Sequence, residues 1–145
     1  MISVQSAPFD LGDIANRFAA AQLGAGAIVT FCGMVRGDGG LIALEIEHYP
    51  TMTLPAIETM ANAARSRFGL LDAWVVHRYG RLSVGEVIMM VATSAPHRKD
   101  AFAGAEYLMD YLKSRAPFWK KEHRSDGAAW VSAKDSDEAS LARWD

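Results

Sequence analysis

A single cysteine, Cys32, stands in a chain of 145 residues. That excludes an intramolecular disulfide framework and any CxxC metal or redox pair, and it suits a reducing cytoplasm. Long apolar runs are missing, and the first residues, MISVQSAPFDLGDIANRF, lack the basic-then-apolar order of a secretion signal. An untargeted soluble protein is expected. Basic charge is short as well: 15 Lys and Arg against 17 Asp and Glu leave a net charge of -2. No global positive field is available for nucleic acid, so any anion site has to be local. GxGxxG, a Walker loop and GxSxG are all absent, which removes support from the common nucleotide and hydrolase readings. His48 and His77 lie in strand-like runs without HxH or HExxH spacing, so no metal site is expected and both read as core or edge histidines; no cofactor is expected. Cys32, in mid-strand with no partner motif, reads as a packed small hydrophobe.

Half of the residues are hydrophobic and 22% are charged, a globular balance in a chain long enough to bury a core. One domain over residues 1–145 is expected, with the polar tail after Lys134, DSDEASLARWD, prone to fray. A short strand at 2–5 precedes a helix capped by Asp10, with Ile14 and Phe18 four apart on its inner face. AIVTFCGMVR reads as a strand, GDGG at 37–40 as a hairpin turn, and LIALEIEHY as the returning strand, with Ile42, Leu44 and Ile46 on one face. A helix at about 53–68 follows, carrying Ile57, Met60, Ala64 and Phe68. AWVVHRYG, the turn RLSVGE and VIMMVATS make a second, largely buried hairpin. With a last strand around AAWVSAK, the fold class is α+β.

The helix after SAPHRKD carries most of the chemistry. Ser94 is a candidate cap and Pro96 suits the first turn. At 100° per residue, Ala101, Phe102, Ala105, Leu108, Met109 and Leu112 form a stripe, and Lys113 falls at its edge, where its stem can be buried and its nitrogen left facing a groove. Pro117 ends the helix, which leaves Lys120 on a following turn or strand, free to fold back towards Lys113. A lysine held against apolar neighbours or other cations loses proton affinity and becomes an acid, base or nucleophile near neutral pH. A solvated charged face is the competing reading. His97 and Arg98 sit at the helix start, where the macrodipole already favours negative charge. A bound phosphate would resolve that conflict; an exposed His97 and an ion-paired Arg98 would resolve it equally. Arg36, at a strand end before a glycine-rich turn, is a further candidate anion ligand, against a solvated hairpin arginine.

Five blocks, TFCGMVR at 30–36, LEIEHYPTM at 44–52, VVHRYGRLSVGE at 75–86, HRKDAF at 97–102 and MDYLKSRAPFWKKE at 109–122, resemble the catalytic large subunit of molybdopterin synthase across about residues 28–134. The resemblance implies a sulfurtransferase that converts cyclic pyranopterin monophosphate into dithiolene-bearing molybdopterin. The sulfur would come from a small ubiquitin-like partner whose C-terminal Gly-Gly carries a thiocarboxylate. It implies an α/β hammerhead-like fold with additional antiparallel strands, assembled as a homodimer within a heterotetramer. By motif, Lys113 and Lys120 match the two active-site lysines. Arg36, His97 and Arg98 match positions that bind the substrate's phosphate and pterin, and Phe31 and Met109 match pocket-lining ones. Lys134 stands where the family often has an arginine that reaches the neighbouring subunit's site, and lysine lacks that residue's bidentate fork. Met34 departs from a position that is sometimes basic. A non-catalytic module that binds a Gly-Gly tail or a small phosphorylated ligand is the alternative.

Overall fold

The structure, a computed structural model, describes residues 1–131 and 135–145. In chain order the elements are β1 (Ile2–Gln5), α1 (Leu11–Ala21), β2 (Ala27–Met34), β3 (Leu41–His48), α2 (Pro50–Phe68), β4 (Asp72–Arg78), β5 (Gly80–Ser83), β6 (Val87–Ala95), α3 (Arg98–Ser114), β7 (Phe118–Arg124), β8 (Gly127–Trp130) and α4 (Asp135–Leu141). The described strands form two four-stranded sheets, ordered β1-β4-β6-β2 and β5-β3-β7-β8. The fold is α+β, as the element order implied.

The first sheet is a mixed one, with β1 parallel to β4 and the β4-β6 and β6-β2 pairs antiparallel. Helices cover both of its faces. On one, α2 and α3 pack Ile57, Ala61, Ala64, Ala101, Ala105 and Leu108 against Val75 and Val91. On the other, α1 lays Ile14 and Phe18 over Met90 and Ala92. Asp10 caps α1 as expected, its carboxylate accepting from the Asp13 amide at 2.9 Å. The second sheet is antiparallel throughout and keeps a small core of its own, made by Val35, Leu44, Ile46 and Leu82.

Several local expectations change. GDGG does not close a hairpin: a 3-10 turn at Asp38–Gly40 carries the chain from one sheet to the other, so β2 pairs with β6 while β3 pairs with β5 and β7. Gly39 and Gly40 hold φ of 62° and 78° there, a region that glycine enters without a steric penalty. RLSVGE is not simply a turn either, because it contains most of β5, which leaves its neighbours to join the second sheet. Ile42 is 49% exposed, since a register irregularity between Leu41 and Ala43 turns Ala43 inward in its place. Ser94 caps nothing; it lies in β6 and donates to Gln22, and α3 starts after His97. Phe102 leaves the inner stripe and is exposed, while Gly104 and Tyr107 are buried.

Cys32 is exposed rather than packed, because β2 is the edge strand of its sheet. The tail read as prone to fray is helical over Asp135–Leu141. It is fastened to α3 beyond that helix by Arg143 on Glu106 and Asp110, and by the Trp144 indole donating to Asp110 at 2.7 Å. Trp144 also meets Phe68 and Tyr107 edge-on.

Candidate active site

Pro117 decides the geometry. It ends α3, and the Phe118 amide then donates to the Ala116 carbonyl at 2.8 Å in a tight reversal that starts β7. Lys113, in the last turn of α3, and Lys120, on β7, are seven residues apart in sequence and approach one cleft from two backbone directions. A lysine at a helix C-terminus also complements the macrodipole. The cleft has a volume of about 620 Å³, within the size range of small-molecule sites.

Phe31 and Arg36 enter the cleft from β2 and the loop that follows it, and Met109 from α3. Five of the expected site residues, Phe31, Arg36, Met109, Lys113 and Lys120, therefore share one concavity. Arg36 is exposed and ion-paired with Asp38 at 2.6 Å, an arrangement worth little in stability and easily exchanged for an incoming anion. Lys113 is exposed, whereas Lys120 is half-buried. The apolar side of the cleft is made by Phe118, Met89 and Ile88.

His97 and Arg98 do not join them. Both are exposed at the start of α3, whereas the parts of α3 that reach the cleft belong to its last turns. Fifteen residues of helix separate Arg98 from Lys113, a rise of about 22 Å. Neither His97 nor Arg98 makes an ion pair among the described residues, and Asp100 in the first turn is the acidic group that suits the helix end. Lys134 lies outside the described residues.

The sequence reading missed several residues of the site. Glu122 and Arg124 line the cleft and pair with each other; they follow Phe118 and Lys120 at a spacing of two, so strand alternation placed all four on one face. Ser114, beside Lys113, lines the cleft with a buried hydroxyl that has no hydrogen-bond partner among the described residues. Asp137 of α4 adds an acid from the tail. His77, read as a core or edge histidine, is buried and also faces the cleft. Its ring stacks on Phe118 at 3.8 Å and 17°, and its Nδ1 lies 2.8 Å from the Arg78 carbonyl. Burial, helped by the charges of Lys120 and His48 and opposed by that carbonyl, pushes the imidazole down to about 4. No group of three or more His, Cys, Asp or Glu suited to a metal occurs among the described residues.

The MoaE protein family matches residues 4–115. The chain belongs to the MoaE family. Among its relatives, the molybdopterin synthase catalytic subunit of Cereibacter sphaeroides is 60% identical over 144 residues, covering 99% of both chains. The solved structure of a molybdopterin biosynthesis MoaE protein from Burkholderia ambifaria superposes with a TM-score of 0.86 at 47% identity, covering 99% of this chain and 97% of that one. The structure of molybdopterin synthase from Staphylococcus aureus gives 0.81 at 30% identity, covering 90% and 96%. No described helix of this MoaE family member is long and apolar enough to cross a membrane.

Proposed function

We propose that this chain is the catalytic subunit of a cytoplasmic molybdopterin synthase, a sulfurtransferase that builds the dithiolene of molybdopterin on cyclic pyranopterin monophosphate. The observation that carries this reading is the convergence of Lys113 and Lys120 on one cleft, from a helix end and a strand, on either side of the Pro117 break. Relatives named as catalytic subunits of molybdopterin synthase support it.

The sulfur arrives as the C-terminal thiocarboxylate of a small ubiquitin-like partner. A Gly-Gly tail fits such a route because glycine lets a backbone pass through a narrow channel at little steric cost. This chain need not carry sulfur itself, and Cys32 is not assigned to the reaction. Lys113 and Lys120 donate and accept protons and stabilise the charge that develops as sulfur is transferred. Arg36 gives up Asp38 for the substrate phosphate, a charge-assisted contact. Phe31 and Met109 bound the pterin.

His97 and Arg98 are assigned to the same phosphate and pterin, yet about 22 Å of helix keeps them from their own cleft. Both assignments hold together in a homodimer in which the start of α3 from one protomer meets the cleft of the other. Lys134 is assigned to the neighbouring site in the same way. One small subunit at each end of the dimer completes a heterotetramer.

The test is reconstitution. The purified chain, given the thiocarboxylated partner and cyclic pyranopterin monophosphate, is expected to yield molybdopterin, and a partner trimmed of its Gly-Gly is expected to dock without supporting turnover. Full activity with the trimmed partner would refute the route. A chain that binds partner and pterin with no conversion would favour the non-catalytic module.

A further inference from the structure

His77 occupies an unusual position for a histidine. It is 5% exposed in a strand whose neighbours are Val75 and Val76, yet its ring borders the cleft. Two contacts fix the ring. On one side it lies flat against Phe118, so that β4 of the first sheet and β7 of the second are joined directly behind the cleft. At its backbone edge, Nδ1 meets the Arg78 carbonyl at 2.8 Å. A carbonyl only accepts, so Nδ1 carries the proton and donates. The neutral ring then has its lone pair on Nε2, at the edge turned away from its own backbone.

Arg78 holds that carbonyl still. Its guanidinium is buried and donates to Ser6 O at 3.1 and 3.2 Å and to Val87 O at 3.2 Å, and it pairs with Glu86 at 3.3 Å. The tautomer of His77 is therefore set by a rigid support rather than by solvent.

Lys120 lies two residues beyond Phe118 on β7, so strand alternation puts its side chain on the face where the His77 ring is stacked. Among the described residues, Lys120 from β7 and His48 from β3 act electrostatically on His77.

We propose that His77 is a positioning residue for sulfur transfer, its Nε2 lone pair accepting from Lys120 and aiming that ammonium at the substrate in the cleft. This rests on the reading of Lys120 as an active-site lysine. The stack on Phe118 supplies alignment, and the Arg78 carbonyl supplies the tautomer.

Two substitutions separate orientation from packing. His77→Gln keeps an acceptor near the Nε2 position and loses the aromatic stack, whereas His77→Phe keeps the stack and loses the acceptor. In reconstituted turnover His77→Phe is expected to lose about 10- to 100-fold in kcat, the range of a hydrogen bond to a charged group, with KM for the pterin phosphate nearly unchanged. His77→Gln is expected to recover much of that loss. Equal losses in the two variants, or a more active His77→Phe, overturn the proposal. Nitrogen-15 NMR of histidine-labelled wild-type protein tests the same claim without a variant at position 77. A neutral Nδ1–H ring at pH 7 whose Nε2 resonance moves in Lys120→Ala is expected, and an Nε2–H tautomer, or a resonance indifferent to Lys120→Ala, overturns it. The tautomer result stands whatever the chemistry, whereas a fully active Lys120→Ala would instead overturn the assignment of that lysine to catalysis.

Discussion

Acidification should unfold this protein partly through one side chain. In the folded state His77 titrates at about 4 because it is buried, whereas in the unfolded chain it returns to the ordinary histidine value near 6.5. The unfolded state therefore binds more protons throughout the window between these values, and stability falls as pH drops through 6.5, levelling off below about 4. With those two values the linkage relation gives a loss of about 2 kcal/mol between pH 7 and pH 5, and about 3 kcal/mol by pH 4. Other groups respond to acid too. Asp72, against the cost of its burial, is held low by hydrogen bonds from Gln22 and the Ala73 amide, and Glu86 is held low by the Ser83 amide and by Arg78. Their contributions are common to the wild type and a position-77 variant and cancel in a double difference. Urea unfolding of wild type and His77→Phe at pH 7 and pH 5 should therefore show the wild type losing about 2 kcal/mol more than the variant. Equal acid losses in the two proteins would mean that His77 takes up its proton in the folded state without resistance, and the neutral buried ring would be refuted.

Three further outcomes follow from particular contacts. Gly26→Ala would bring a Cβ to 2.1 Å from the Pro96 carbonyl oxygen, while at Gly24 the nearest atom is Leu71 Cδ1 at 4.0 Å; thermal melts should show a loss of about 1 to 3 kcal/mol for the former and a change within about 0.5 kcal/mol for the latter. Ser114→Ala removes a buried hydroxyl with no partner among the described residues, so the free protein should be unchanged or stabilised by up to about 1 kcal/mol, and a clear drop in melting temperature would show that the hydroxyl is satisfied in solution. Mixing Lys113→Ala with Arg98→Ala protomers should restore activity above that of either homodimer, because one of the two mixed clefts receives both wild-type residues; no restoration would place Arg98 outside the neighbour's site.

What the sequence disclosed was local. The Asp10 cap, the Ile14 and Phe18 spacing and the Pro117 stop are each decided within about one helical turn, and the structure keeps them. Partner choice between strands was not legible, because GDGG and RLSVGE mark changes of direction without saying which sheet the chain joins next. β3 finds β7 across 70 to 83 positions of sequence, from His48 with Phe118 to Leu41 with Arg124, and nothing in LIALEIEHY announces that partner. The site divides in the same way. The placement of Lys113 at a helix-stripe edge and of Lys120 beyond a proline was legible from the residues, but their role, like the grouping of His97 and Arg98 with them, came by motif, and the fold holds those two a helix length away. His77 left one trace, a histidine and an arginine closing the apolar run AWVV. That pattern is enough to ask what satisfies two polar groups in a buried strand.

The central claim is that the cleft lysines carry the chemistry, and a three-variant comparison tests it most directly. Lys113 and Lys120 line the cleft, whereas Lys121 turns to the other side of β7, with its ammonium 5.4 Å from the centre of the Trp130 ring. In single-turnover conversion of cyclic pyranopterin monophosphate with the thiocarboxylated partner, Lys113→Ala is expected to lose about 100- to 10,000-fold in rate, the range for removing a positioned acid or base. Its melting temperature should be nearly unchanged, Lys120→Ala should be impaired with it, and Lys121→Ala should stay close to wild type. The same mild loss in all three would reduce the lysines to a diffuse positive patch and contradict the assignment.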